Sequence, residues 1–465
     1  MVKRKLGLSL AATLAIGTQT VFAQGLPGET QARQAADAQL QSNIDVEAAA
    51  RAAAALQLQR NIDGEAGARA DADSRLQSQI DQLRSSIGGG GGSVTVDCST
   101  GGSVSAALAA GASQITVRGT CTESVEVNRD GVTLLGEQGA TIRGPDLDVN
   151  TINVTGNRVT IDGLTVTGGR NGITGLGAAN LALRNCSVRF TGRTGIAFST
   201  GASGTVDGCT VDSNPRDGIV VDGAQATITN STVTNNRNGV AVVNGGTSRI
   251  GLTDRLAPAG NTIGQNGANG VTVNAGSTAT IAMNTITGNG TNPSLPGRAG
   301  IGLFLSATAD IAGGNTISGN AGPGVAMSVG STAVIGDTSF GFTTLNTISG
   351  NGTATAGGGV SAFLSASLVV RDAVIEGNTG PGIIFSTRSQ GQMFSTAIRN
   401  NTGDGIRFVL GSALLPLAPA SIVSGNSGFG VQCFDGESSI VNTIPSILSV
   451  FGNSAGDVAP GCTAF

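Results

Sequence analysis

The sequence predicts an all-β fold, a single-stranded parallel β-helix solenoid, preceded by an α-helical, coiled-coil-like segment. Three observations carry this expectation. A Gly-(Ile/Val) pair recurs at Gly172, Gly195, Gly218, Gly239, Gly270, Gly300, Gly324, Gly359, Gly382, Gly405 and Gly430. Its gaps of 21 to 25 residues equal one coil, and its gaps of 30, 31 and 35 equal a coil with an inserted loop. An apolar residue follows each glycine by one position and, in most coils, another by three, as at Ile196 and Phe198, so both share one strand face and stack inward. Asparagine stands four residues before the glycine at Asn214, Asn235, Asn266, Asn320, Asn378, Asn401 and Asn426, where it tolerates left-handed turns and can form a structural ladder by bonding the equivalent amide of the next coil.

The elements follow in order. Residues 1–23 have the build of an export signal: Lys3, Arg4 and Lys5, an apolar run from Leu6 to Ile16 too short to span a bilayer, and small residues ending at Ala23. Residues 24–87 repeat with a period of 18, aligning Leu40 with Leu58 and Leu76, and Ile44 with Ile62 and Ile80. That period is five helical turns, so the apolar pairs return to one narrow face. Such a stripe cannot form a core alone. It asks for identical neighbours, and a parallel homo-oligomer, a trimer, is expected. Gly88 to Gly92 form a flexible joint. The solenoid fills residues 93–465, opened by a cap helix from Ser103 to Ala110 that stops at Gly111.

Composition narrows the chemistry. Of 26 basic residues, Lys3, Arg4 and Lys5 leave with the signal; the 23 that remain are all Arg and face 30 Asp and Glu. That balance argues against a nucleic-acid partner. No segment after the signal is apolar enough for a membrane helix, so a chain secreted to the periplasm or cell surface is expected. With no His and no Lys beyond residue 5, a Ser-His-Asp triad, His-ligated zinc, a P-loop and a Schiff base are excluded. Trp and Tyr are absent, and most of the Phe residues are expected to be absorbed by the core rather than to form a sugar-stacking platform. Six cysteines suit an oxidising compartment. Cys98 with Cys121 and Cys433 with Cys462 bracket the two ends of the stack and are expected to be disulfides. Cys186 and Cys209 sit at the same point of neighbouring coils, about 4.8 Å apart, which suits either a disulfide or two stacked thiols.

Charged residues fall in columns. Asp162, Arg184 and Asp207 alternate in one, and Arg189 stands beside Asp212, as ordinary cross-strand pairs. Arg170, Arg193, Arg216 and Arg237 all precede the turn glycine by two residues, with Arg298 repeating the position later. Like charges stacked so closely repel, unless Asp212 and Asp217 neutralise them or an anion such as an acidic polysaccharide bridges them. Asp146, Asp148 and Asn150 offer oxygens for calcium but lack the Gly and terminal Glu of a full loop, so no metal site is assigned.

The segments Val96-Asp-Cys98, Ile115-Thr-Val-Arg-Gly-Thr-Cys121, Val132-Thr-Leu-Leu-Gly136 and Ala140-Thr-Ile-Arg-Gly144, followed by the Gly-(Ile/Val) coils, resemble exported bacterial proteins of the right-handed parallel β-helix, pectin-lyase-like superfamily. The resemblance covers residues 94 to 465 and implies a right-handed solenoid. Its hydrolase branch uses His and Lys, which the solenoid lacks; its lyase branch uses carboxylate-held calcium and an Arg base. Two functions are therefore expected in turn: an exported structural or adhesin-like fibre, or a calcium-dependent polysaccharide lyase with Arg193 or Arg216 as base and Asp212 and Asp217 nearby.

Overall fold

The computed structural model describes residues 27–87, 92–178, 180–336, 344–352, 358–436, 438–440 and 447–462. The expected export signal, residues 1–23, and glycines 88–91 of the joint lie outside the described residues. The chain divides into two compact units between Gly89 and Gly90.

The described part of the first unit is a single α-helix, Pro27–Ile87. Its Ala, Gln, Arg and Glu residues favour helix, and two i,i+4 ion pairs, Glu47 with Arg51 and Glu65 with Arg69, reproduce the sequence repeat. The stripe residues Leu40, Ile44, Leu58, Ile62 and Leu76 are all exposed. Among the described residues no helix is long and apolar enough to cross a membrane.

The second unit is a right-handed parallel β-solenoid of about 15 coils. Each coil gives one strand to each of three sheets, which hold 15, 14 and 14 strands. In a representative coil, Ser203–Asp207 lies in the first sheet, Thr210–Asp212 in the second and Asp217–Asp222 in the third. These pair in parallel with Gln225–Thr229, Thr232–Thr234 and Asn238–Val243 of the next coil. Alternation sends Val211, Ile219 and Val221 inward, where they join one continuous core. Phe198, Phe385 and Phe408 are fully buried, the last two stacked with centroids 5.6 Å apart. Phe190, Phe434 and Phe451 depart from the expected burial and are exposed.

The open end is closed by the helix Val104–Ala109. Ser103 caps it by accepting the Ala106 N–H. Glu123 also accepts from the Ser103 hydroxyl and from the Val104 and Ser105 N–H groups, while Arg129 donates to the Leu108, Gly111 and Ala112 carbonyls at the other end. A carboxylate at the first turn and a guanidinium at the last complement the helix dipole. The Cys98–Cys121 and Cys433–Cys462 disulfides join neighbouring chain segments at either end, each with Cα atoms 5.1 Å apart.

The asparagine ladder is longer than the glycine count implied and differs at one rung. It runs Asn214, Asn236, Asn266, Asn289, Asn320, Asn351, Asn378, Asn401, Asn426 and Asn453, all buried. Each Oδ1 accepts the backbone N–H and the side-chain N–H of the preceding rung, as Asn236 does from Asn214 at 2.9 Å for both. Thr191 ends the ladder on one side, and Asp457 on the other by accepting both N–H groups of Asn453. Asn235 is not a rung. It is exposed, has φ 56°, and donates to Asp212. It occupies a column of left-handed residues, two after the inward residue of the second-sheet strand, that other coils fill with Gly288, Gly319 or Gly350.

A second ladder, at the turn entering the second sheet, joins Asn261, Asn284, Asn315 and Asn346. Cys186, Cys209 and Ser231 are its first rungs: the Cys186 N–H donates to Cys209 Sγ, Cys209 to Ser231 Oγ, and Ser231 to Asn261 Oδ1. Both cysteines are buried free thiols.

Candidate functional site

The turn between the second and third sheets sets the arginine column. The Arg216 N–H donates to the Arg193 carbonyl at 2.9 Å and the Arg237 N–H to the Arg216 carbonyl at 2.7 Å, so successive arginines stand one coil apart. Arg170 precedes them, its N–H bonded to the Val149 carbonyl. Arg170, Arg216 and Arg237 are exposed and Arg193 half-buried. The proximity of Arg216, then burial, then Arg170 lowers the proton affinity of the Arg193 guanidinium from its ordinary value, the mark of uncompensated like charge.

The expected neutralisation by Asp212 and Asp217 is not what the side chains do. Asp212 accepts from Ser213, Thr234 and Asn235, and Asp217 from Asn238. Burial opposes the Asp212 charge, but those hydrogen bonds, with Arg189 nearby, outweigh it and hold its pKa below the usual carboxylate range. Among the described residues no carboxylate lies within ion-pair distance of Arg170, Arg193, Arg216 or Arg237. Arg298 stands apart, its Nε donating to the Gly290 carbonyl.

The Asp162, Arg184, Asp207 column aligns in register across three coils. Its carboxylates bond not to Arg184 but to Asn185, and to Thr229 and Asn230. The next coil therefore supplies each of these aspartates with its polar partner, an asparagine in the turn just past the strand.

Beside the arginines runs the outer face of the third sheet. Its outward residues Thr174, Ala197, Val220, Ala241 and Thr272 align coil by coil, each of the first four standing four positions after a column arginine. They are small, and Thr174, Ala197 and Ala241 are buried although outward-facing. Thr174 Oγ1 is buried there without a hydrogen-bond partner. Beyond Arg237 the loop around Asn292 and Leu295 encloses a recess of about 450 Å³ with Pro215, Asn235, Arg237 and Gln265.

Phe190 stands three residues before Arg193 on the same turn, exposed and with Arg189 5.8 Å from its ring centre. Among the described residues one group of three potential metal ligands converges, Cys98, Cys121 and Glu123, and two of these form a disulfide.

A three-sheeted parallel solenoid with an arginine-lined turn defines a β-helix protein. The profile of the right handed beta helix region family matches residues 105–254 and 269–444, more than half of the chain, and the chain belongs to that family. No curated protein matches the chain. Among solved structures, the mannuronan C-5 epimerase AlgE6 A-module of Azotobacter vinelandii is similar at 16% identity, covering 76% of this chain and 93% of that one, with a TM-score of 0.45. Pectate lyase Pel9A is similar at 16% identity over 61% of this chain and 79% of that one, with a TM-score of 0.33. The bacteriophage CBA120 tailspike protein 3 follows at 11% identity over 84% and 63%, with a TM-score of 0.41.

Proposed function

We propose that this protein is an exported, adhesin-like fibre that holds acidic polysaccharide along the Arg170, Arg193, Arg216, Arg237 column, beside the small outward residues of the third sheet. The observation that carries the reading is four arginines at the same turn of successive coils with no carboxylate within ion-pair distance among the described residues. Cations carried on coils about 4.8 Å apart repel, and a polymer bearing carboxylate or sulfate at intervals supplies the missing charge through forked, charge-assisted bonds. Two disulfides suit a periplasmic or extracellular location reached through residues 1–23. The helix Pro27–Ile87, with its exposed stripe, supports a parallel trimer that would multiply weak contacts by avidity.

A second reading, a calcium-dependent lyase, is favoured by the lowered proton affinity of Arg193, the direction a base requires. One experiment tests both: incubate the full chain with pectate, alginate and heparin, with and without calcium, and follow retention and ultraviolet absorbance. The fibre reading expects retention that weakens with salt and no new absorbance. Absence of retention on all three polymers overturns it, and a calcium-dependent rise in absorbance replaces it with the lyase.

A further inference from the structure

The left-handed column at the exit of the second sheet carries an aromatic residue in one coil. Two positions after each inward residue the backbone turns with positive φ, and successive coils fill the place with Gly168, Phe190, Ser213, Asn235, Gln265 and Gly288. Glycine and asparagine accept this geometry; a bulky aromatic does so at a cost. Phe190 nevertheless has φ 54° and is 61% exposed, so the strain is not repaid by burial. Leu305, Leu364 and Leu410 are likewise exposed at positive φ on other turns, so it is the outward aromatic ring with an arginine at its face, rather than the strain, that points to a ligand.

Its surroundings say which ligand. Phe190 shares its turn with Arg193, and Arg189 lies 5.8 Å from its ring centre. Leu147, also exposed, lies so close to Gly192 of the same turn that a Cβ there would come within 2.7 Å of it. An exposed aromatic ring with a cation at its face thus stands on the turn that carries Arg193. That combination fits a polymer presenting an apolar ring face beside an anionic substituent, since the flat ring takes C–H groups while the guanidiniums take the charge. We infer that Phe190 is the ring-stacking residue of the arginine column and makes it select acidic polysaccharide over polyanions that lack sugar rings. The inference rests on the polysaccharide-binding reading and deepens it.

The test uses the full chain with Phe190→Asn and Phe190→Gly, residues that this column accepts at Asn235 and Gly288. Both variants should melt at or above the temperature of the parent, because the strain is relieved. Retention is measured on whichever of pectate, alginate and heparin the parent binds most tightly, and on inorganic polyphosphate. The expected result is a loss of about fivefold or more in affinity for the polysaccharide, the scale of exposing one ring face, with polyphosphate affinity unchanged. Unchanged polysaccharide affinity overturns the inference and leaves the arginine reading standing, as does an equal loss on both polymers. A parent that binds no polysaccharide removes the reading and the inference together. Should one variant melt early, the other decides the result, and early melting of both overturns the inference because it assigns Phe190 to the fold.

Discussion

Asn236 and Asn235 are neighbours in sequence with opposite roles, and replacing each in turn tests the ladder directly. Asn236 is buried; its Oδ1 accepts two bonds from Asn214, and its Nδ2 donates to the Val211 carbonyl and to Asn266 Oδ1. Asn236→Ala removes all four. At a net of about 1 kcal/mol each, the loss is about 4 kcal/mol, and the two Asn214 donors left buried without partners push it higher. Asn235 makes one exposed bond to Asp212 and needs only a left-handed backbone, which glycine supplies. Asn235→Gly should therefore change stability by no more than about 0.5 kcal/mol. Urea unfolding followed by circular dichroism reads both, the slope reporting that the same surface is exposed. An Asn236→Ala loss no larger than that of Asn235→Gly refutes the reasoning.

Other consequences are as direct. Peptide mapping without reduction should find Cys98–Cys121 and Cys433–Cys462 bonded and Cys186 and Cys209 free; reducing the two disulfides, which span 23 and 29 residues, should cost about 3 kcal/mol each in urea unfolding. Glu123 is partly buried, which raises its pKa, but hydrogen bonds from Ser105, Val104 and Ser103 prevail and lower it from 4.5. A depressed folded-state pKa stabilises above the unfolded value and ceases to do so as pH falls through the folded one. Glu123→Gln should thus melt below the parent at neutral pH, with the gap closing below about pH 4.5; a gap constant with pH contradicts this. Light scattering should give an oligomer for the full mature chain and a monomer for one starting at Ser93, because the 18-residue stripe lies wholly in the helix. Equal monomer masses would remove the trimer.

The solenoid was legible because its rules are local and repeated: inward Val and Ile at alternate positions, glycine at the entry to the third sheet, and a capped helix between Ser103 and Gly111. The ladder was legible only in part. Counting back four residues from glycine meets Asn214 and Asn266 but lands on Asn235 where the turn is one residue shorter, and misses Asn289 and Asn351 where a loop intervenes. Counting forward three from the inward residue of the second-sheet strand finds every rung: Val211 leads to Asn214, Val233 to Asn236, Ile286 to Asn289 and Val450 to Asn453. Strand register, not turn length, fixes the rung, because turns vary while the parallel pairing does not. The same count would have placed Phe190, two after Val188, in the left-handed column and outside the core. Whether Asp212 and Asp217 neutralise the arginines depends on which way side chains turn within a coil, and spacing alone carries no such direction.

Replacing Arg193 and Arg216 together with Gln decides whether the unpaired arginine column binds acidic polysaccharide. These side chains lie outside the core, so no cavity forms and melting should be unchanged. Two lost charge-assisted contacts at roughly 1.5–3 kcal/mol each predict at least a hundredfold weaker retention on the polymer the parent binds, with a shallower dependence on salt. Retention of the double variant equal to the parent at both low and high salt, with melting unchanged, would contradict the account and leave the column a row of turns.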